Sequence, residues 1–141
     1  MSYSTKEQNK KISALLVNIF LDKDNKAERE SSFEELERLV ETAEIEVKGK
    51  FTQQRKSINS ATYAGKGFIE QMKILMEEVG ADLLIFNNNL APSQIRNLKD
   101  RFKIDAIDRT EVILMIFKDH ARTVEAKLQV RLAELKYEYP R

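Results

Sequence analysis

The sequence predicts an α/β fold: a small four-stranded, mostly parallel sheet with helices on both faces, followed by a long C-terminal helix. Short apolar runs alternate with longer segments in which apolar residues recur every three or four positions, as expected for strands joined by crossover helices. Residues 107–141 keep that helical spacing without a further strand. A single helix is therefore predicted for this last part of the chain.

The first half of the chain predicts a strand, a helix and a second strand. Residues 12–21 are apolar on both faces, which favours an inner strand. After a charged connector, Ser32 stands three residues before Glu35 as in a capping box, so a helix is predicted to begin there and to run to Ala43. Residues 44–52 alternate apolar and polar side chains, which indicates a strand near the edge of the sheet.

The second half repeats this alternation after a polar loop that spans residues 53–66. Residues 68–79 form an apolar helical face that Gly80 closes, and residues 83–86 predict a buried strand. A third helix is predicted from Pro92 to about residue 102, and a short strand over residues 104–107. Asp108 or Thr110 is then expected to cap the long helix.

Three regions follow from these elements. Residues 1–11 are predicted to be a mobile polar tail, residues 12–108 an α/β domain, and residues 109–141 a long helix that forms the first arm of a helical hairpin. The apolar stripe of that helix has no counterpart left in the sequence, so we expect either a second helix in a longer parent protein or another copy of the chain to cover it. The residues predicted to make this contact are Phe117, Ala121, Val124, Leu128, Leu132 and Leu135.

Composition excludes several classes of site. The chain has 24 basic and 23 acidic side chains, so no global field predicts nucleic-acid or membrane binding. It has no Cys and a single His, His120, which argues against disulfides, zinc sites and a His-based catalytic triad. No apolar run reaches the length of a membrane span, and the N-terminus is polar. These features predict a soluble cytoplasmic protein with no membrane partner.

No catalytic residue and no metal site can be assembled from the sequence. Gly65, Lys66 and Gly67 open a helix and could receive a phosphate, although neither G-x-x-x-x-G-K-[ST] nor G-x-G-x-x-G is present. A tight turn into the helix is the more ordinary interpretation. A phospho-acceptor receiver domain is disfavoured because Asn87, and not Asp, ends the third strand. We therefore expect no enzyme activity and no cofactor in this chain.

The distribution of charge along the chain indicates a candidate binding surface. Residues 47–69 contain no carboxylate, whereas residues 28–46 are strongly acidic. The basic segment covers the predicted carboxyl-terminal edge of the sheet, where open α/β domains usually bind ligands. Contact with RNA phosphates is one interpretation, and an ordinary solvated loop is the other. The predicted contact residues are Lys48, Lys50, Arg55, Lys56 and Lys66, with Arg122, Lys127 and Arg131 as weaker candidates on the long helix.

Three stretches together resemble a known family: FTQQRKSINSATYAGKGFIEQM (51–72), FNNNLAPSQIRNL (86–98) and IDRTEVILMIFKDHARTVEAKLQVRLAELKYEYPR (107–141). They are similar to the N-terminal region of the HflX family of ribosome-associated GTP-binding proteins. In that family T-Y-x-G-K-G opens one helix, L-x-P-S-Q-x-R-N-L opens the next, and D-R-T begins a helical hairpin. The resemblance covers about residue 15 to the C-terminus.

The resemblance implies a non-catalytic module of a cytoplasmic GTPase. Such a module would contact the large ribosomal subunit and its rRNA, regulate a downstream G domain, and take part in splitting or rescuing ribosomes under stress. GTP and Mg²⁺ would be bound by the G domain of the parent protein. The alternatives are a small nucleotide- or anion-binding module that acts alone, and a dimerisation domain that forms a homodimer through its long helix.

Overall fold

A computed structural model describes residues 11–138. This part of the chain forms four strands and five helices. In chain order they are β1 (Ser13–Leu21), α1 (Lys26–Thr42), β2 (Glu46–Arg55), α2 (Lys66–Val79), β3 (Leu83–Phe86), α3 (Pro92–Phe102), β4 (Ala106–Asp108), α4 (Arg109–His120) and α5 (Val124–Glu138). The predicted mobile tail lies, except for Lys11, outside the described residues.

The four strands form one parallel sheet in the order β2-β1-β3-β4. The predicted α/β class is confirmed, and so is the position of β2 at an edge. Since β1 and β3 are the inner strands, they are covered on both faces, which explains their nearly unbroken apolar sequence.

Helices cover the two faces of the sheet in pairs. On one face α2 and α3 pack against the odd-numbered side chains of β1, with Ile69, Met72 and Leu98 fully or almost fully buried. On the other face α1 and α4 pack against the even-numbered side chains, with Leu36 and Val112 completely buried. Two apolar cores therefore fix the sheet from both sides and bring all four strand ends to one polar edge.

The edge strand β2 contains an irregularity. Ala14 pairs with Val47, but the next residue of β1, Leu15, pairs with Gly49, so Lys48 is an extra residue in the ladder. A side chain at Gly49 would meet the ring of Phe51 at 2.8 Å, which explains the glycine there. The bulge turns Val47 towards the α1 face and Phe51 towards the α2 face.

The predicted start of the first helix was wrong. Ser32 lies inside α1, which begins at Lys26, and the cap is Asn25, whose Oδ1 accepts the backbone N–H of Glu28 at 3.1 Å. The first turns of α1 are largely exposed to solvent, so they carry no apolar periodicity that could extend the predicted helix towards its N-terminus.

Two predicted strand boundaries also shift. β2 continues to Arg55, because its backbone pairs with β1 as far as Leu21, so the polar loop is shorter than predicted. β4 spans Ala106–Asp108, and Ile104 lies just before it as a buried residue. By contrast, the buried strand over residues 83–86 and the caps at Gly80 and Asp108 are confirmed.

The predicted long helix is broken into two. α4 ends at His120, Ala121 is extended (φ −72°, ψ 118°), and α5 begins at Val124. α5 returns alongside α4, and the hydroxyl of Tyr137 near its end donates to Oδ1 of Asp108 at the start of α4, at 2.8 Å. No helix among residues 11–138 is long and apolar enough to cross a membrane.

The apolar stripe stays largely uncovered in this hairpin. Phe117 is 54% exposed, Val124 75%, Leu128 64% and Leu132 48%, whereas Ala121 and Leu135 are partly buried. Phe117, Val124, Leu128 and Leu132 are therefore exposed in this structure. What covers them remains a prediction.

Candidate functional site

The carboxyl ends of the four strands meet at one polar edge of the sheet, which we call the rim. Its buried polar side chains include Asn18, Asn87, Asn88 and Asp108. Buried polar groups are costly unless they are hydrogen-bonded, so their partners define how the rim is built.

Asn87 lies at the centre of the rim. Its Nδ2 donates to Oδ1 of Asn18 and to Oγ of Ser32, both at 3.2 Å. Its Oδ1 accepts from Nη1 of Arg109 at 3.2 Å, and the same guanidinium reaches the backbone oxygen of Ser32 and the carboxylate of Glu35. One amide and one guanidinium therefore tie β1, β3, α1 and α4 together.

The carboxylate of Asp108 connects α4 and α5 to the rim. Its Oδ1 accepts the N–H of Glu111 at 3.2 Å, which caps α4, and its Oδ2 accepts the N–H of Leu90 at 3.0 Å. The hydroxyl of Tyr137 also donates to it. A completely buried carboxylate thus joins the turn after β3 to both helices of the hairpin.

Asp24 is the rim carboxyl whose titration is clearly shifted. The backbone N–H of Leu21 donates to its Oδ2 at 2.8 Å, and Arg29 lies 3.3 Å away. The hydrogen bond from Leu21, with the charge of Arg29 in support, lowers the pKa of Asp24 below its ordinary value despite partial desolvation. Asp24 therefore stays ionised and holds the loop between β1 and α1.

The loop between β2 and α2 is held by side chains from α3. Nε2 of Gln94 points at the backbone oxygens of Asn59 and Ser60, at 3.5 and 3.3 Å, and Nδ2 of Asn97 donates to the oxygen of Ala61 at 2.9 Å. Tyr63 has a positive φ of 66°, which is unusual for a residue with a side chain. The loop is thus an ordered part of the rim.

The structure does not bring the five basic residues of residues 47–69 together. Arg55, Lys56 and Lys66 lie at the rim, with Lys56 and Lys66 exposed to solvent. Lys48 and Lys50 lie five to seven residues back along β2, about 16–23 Å away at about 3.3 Å per residue.

Lys48 and Lys50 are also partly neutralised by carboxylates. Lys50 sits 2.8 Å from Glu37 and 5.2 Å from the centre of the Phe33 ring, whereas Lys48 is 3.4 Å from Glu46. They are therefore weaker candidates for phosphate contact than the three basic residues at the rim.

Gly65, Lys66 and Gly67 form the N-terminus of α2, as predicted. Gly65 is the N-cap and makes no side-chain cap bond, while its N–H donates to Oε1 of Gln53 at 2.9 Å. A side chain at Gly65 would come within 2.3 Å of Nη1 of Arg55, the flexible end of that side chain, so the N-cap position, where Gly is preferred over Ala, is the better explanation of this glycine. A side chain at Gly67 would meet nothing within 4 Å. The ordinary interpretation as a turn into a helix therefore explains Gly65 and leaves Gly67 unexplained.

The weaker basic candidates lie on the hairpin. Lys127 and Arg131 line a cleft of about 390 Å³ between α4 and α5, together with Lys118 and Glu134. Arg122, in the bend, donates from Nη1 to the backbone oxygen of Asp119 at 2.8 Å. The predicted basic residues therefore fall into three regions: the rim, the first half of β2, and the hairpin.

The described residues offer no metal centre. Among residues 11–138, no group of three or more His, Asp or Glu side chains is placed to hold an ion. His120 is exposed, and its Nδ1 lies 2.8 Å from the backbone oxygen of Ile116 in its own helix.

Comparison with known proteins identifies the family. Residues 30–118 match the family model described as GTP-binding GTPase N-terminal. The chain belongs to this family. The resemblance drawn from the three sequence stretches is thereby confirmed.

Curated relatives agree with this assignment. The GTPase HflX of Alkalihalophilus pseudofirmus is 50% identical over 114 residues, which are 81% of this chain and 27% of the relative. The GTPase HflX of Methanocaldococcus jannaschii is 44% identical over 123 residues, 87% of this chain and 30% of the relative. The chain therefore spans less than a third of the length of these relatives.

Solved structures show the same fold. A GTP-binding protein from Sulfolobus solfataricus, in complex with GDP, is 30% identical with a TM-score of 0.69, over 93% of this chain and 38% of that chain. A G235P variant of SsGBP has a TM-score of 0.71 at the same identity, over 92% of this chain and 41% of that chain.

The family motifs of this HflX-type N-terminal domain coincide with the contacts that build the rim. Asp108 and Arg109 of the D-R-T step, Gln94 and Asn97 of the P-S-Q-x-R-N-L step, and Gly65 of the G-K-G step each hold a neighbouring element. Reasoning from composition alone missed these roles, and the motifs were the signal that marked these residues.

Proposed function

We propose that this chain is the non-catalytic N-terminal module of an HflX-like GTPase in the cytoplasm. In this role it contacts the large ribosomal subunit through rRNA phosphates and regulates a G domain downstream, during splitting or rescue of ribosomes under stress. Family membership supports the proposal, as do relatives about three times as long that carry the name GTPase. GTP and Mg²⁺ belong to the G domain, since the phosphate-loop spacing is absent from this sequence.

The observation that carries the RNA contact is the absence of carboxylates from residues 47–69, combined with the exposure of Lys56 and Lys66 at the rim. Exposed lysines can neutralise phosphates and release their counterions, which favours binding and makes it sensitive to salt. Arg55 adds a third positive charge beside Gly65.

Co-sedimentation with large ribosomal subunits tests this contact. The variant Lys56→Glu/Lys66→Glu should bind at least tenfold more weakly. The slope of the logarithm of its binding constant against the logarithm of the salt concentration should become shallower by about one per lost phosphate contact. The matched control is Lys99→Glu/Arg101→Glu, which makes the same change in net charge on exposed residues near the end of α3. Equal binding of the rim variant and the unmodified chain would refute the assignment.

A small-anion or nucleotide site is the second candidate. The observation in its favour is that the N-terminus of α2 has no side-chain cap while Lys66 stands beside it. Titration calorimetry with ATP and GTP separates the two functions. Saturable binding that Lys66→Glu abolishes would favour a small ligand, whereas no heat with either nucleotide would leave the RNA contact as the use of this surface.

A further inference from the structure

The bend between α4 and α5 has no breaker in its sequence. Residues 121–123 are Ala, Arg and Thr, and neither Gly nor Pro occurs among them. Ala and Arg are among the residues that favour a helix most. The apolar stripe also continues in phase across the bend, as it would on one uninterrupted helix. The local sequence therefore supports a continuous helix where the structure has a hairpin.

Two hydrogen bonds are among the described contacts that hold the hairpin closed. At the bend, Oγ1 of Thr123 accepts the N–H of Ala126 at 3.0 Å and so caps α5. At the far end, Tyr137 donates its hydroxyl to Asp108 at 2.8 Å. Neither contact could form in a continuous helix, because Thr123 would be an interior residue and Tyr137 would lie far from Asp108.

Apart from these hydrogen bonds, the described side chains of α5 are at most partly buried. The side chains that are partly buried include Ala126, Val130 and Ala133, whereas Leu128 and Leu132 on the same helix face solvent. No side chain of α5 is fully buried among those described. Leu128 and Leu132 therefore gain little from the closed arrangement, whereas Leu135 and Tyr137 are partly buried in it, and the two hydrogen bonds contribute to the preference for it.

We propose that α4 and α5 form a two-state element that interconverts between the hairpin and one continuous helix, with residues 121–123 as the hinge and Tyr137–Asp108 as the latch. The latch connects this element to the rim, because the same carboxylate caps α4 and accepts the N–H of Leu90 after β3. Opening moves α5 away from the sheet and presents Leu128 and Leu132 on an extended rod. This inference is independent of the proposed RNA contact.

Distance measurement between two spin labels distinguishes the two states. The chain contains no Cys, so Leu114→Cys/Lys136→Cys can be labelled at those two positions alone. In a continuous helix they are 22 residues apart, or about 33 Å at 1.5 Å per residue. In the hairpin the packed helices lie 8–10 Å apart, which places the labelled positions within about 20 Å of each other.

Three variants and one control set the expected results. Tyr137→Phe removes the latch hydroxyl and Thr123→Ala removes the cap, so each should raise the ratio of long to short distances about fivefold, the effect of one net hydrogen bond or cap. Arg122→Pro should give the short distance alone, since proline forbids the continuous helix and the extended Ala121 before it is compatible with proline. Tyr63→Phe removes a hydroxyl elsewhere and should change nothing.

Two experimental outcomes would overturn the proposal. If Tyr137→Phe and Thr123→Ala both give the same distances as the unmodified chain and as Arg122→Pro, the hairpin is fixed and no switch exists. If the unmodified chain gives the long distance alone, the latch does not form. Circular dichroism of each variant confirms that the α/β domain remains folded.

Discussion

The side chain of Asn88 makes hydrogen bonds to both backbone polar groups of Ile19. Its Oδ1 accepts the N–H of Ile19 at 2.8 Å, and its Nδ2 donates to the carbonyl oxygen of Ile19 at 3.0 Å. β3 ends at Phe86, so the amide of Asn88 replaces a strand backbone and extends the ladder of β1 by one residue. Both residues are buried, so bulk water does not reach the backbone N–H and carbonyl oxygen of Ile19.

Asn88→Ala should therefore destabilise the domain by about 2–3 kcal/mol, because it leaves a buried donor and a buried acceptor without partners. Urea unfolding followed by circular dichroism measures this loss. The neighbouring Asn89 is exposed and bonds only to the hydroxyl of Thr110 among the described contacts, so Asn89→Ala should cost about 0.5 kcal/mol. Similar losses in the two variants would contradict the role of Asn88.

Gly67→Ala should stabilise the chain by about 0.5 kcal/mol, because a methyl group meets no atom and alanine reduces the entropy of the unfolded chain. Gly65→Ala should instead destabilise it by about 0.5 kcal/mol, since Gly is preferred over Ala at an N-cap. Thermal unfolding of the two variants provides the comparison. A Gly67→Ala variant that is stable but binds ribosomal subunits less well would show that a partner approaches this backbone.

The titration of Asp24 should make the free energy of unfolding depend on pH. Its pKa in the folded chain lies below that of an unfolded aspartate, about 3.9, so its stabilisation is present above that value and is lost as pH falls towards the folded pKa. Asp24→Asn should be less stable than the unmodified chain at pH 7, and the difference should shrink below about pH 4. Urea unfolding at pH 7, 5 and 3.5 tests this, with the exposed Asp100→Asn as control. A difference that stays constant with pH would contradict it.

The exposed stripe should drive self-association of the isolated chain. Burying apolar surface yields about 25 cal/mol per Å², so covering Phe117, Val124, Leu128 and Leu132 between two copies would favour a homodimer. Light scattering coupled to size exclusion should show a mass that rises with concentration. Leu128→Asp/Leu132→Asp should remain a monomer over the same range. A monomeric unmodified chain at high concentration would exclude this contact.

The helices and strands that are most buried are the ones that the sequence predicts best. β1, β3 and α2 are in close contact with the core, and their apolar patterns gave their type and nearly their ends. The first turns of α1 are largely exposed, so their sequence carries no period and their cap at Asn25 was overlooked. The bend at Ala121 contains neither Gly nor Pro, and its local signal is the cap of α5 at Thr123, which was overlooked.

The candidate site shows the same division. The basic residues could be recognised from composition, but their separation along β2 required the topology of the sheet. The rim contacts join residues far apart in sequence: Asn88 and Ile19 are 69 positions apart, and Arg109 and Ser32 are 77. No periodicity connects such pairs, and only the fold brings them together.

The bulge at Lys48 has a consequence for how this domain meets others. An outer strand with regular pairing groups invites a foreign strand, and natural proteins discourage this with bulges and lysines on that strand. β2 carries both, with Lys48 as the inserted residue and Lys50 two positions further. Addition of a foreign strand is thus hindered at the β2 edge of the sheet.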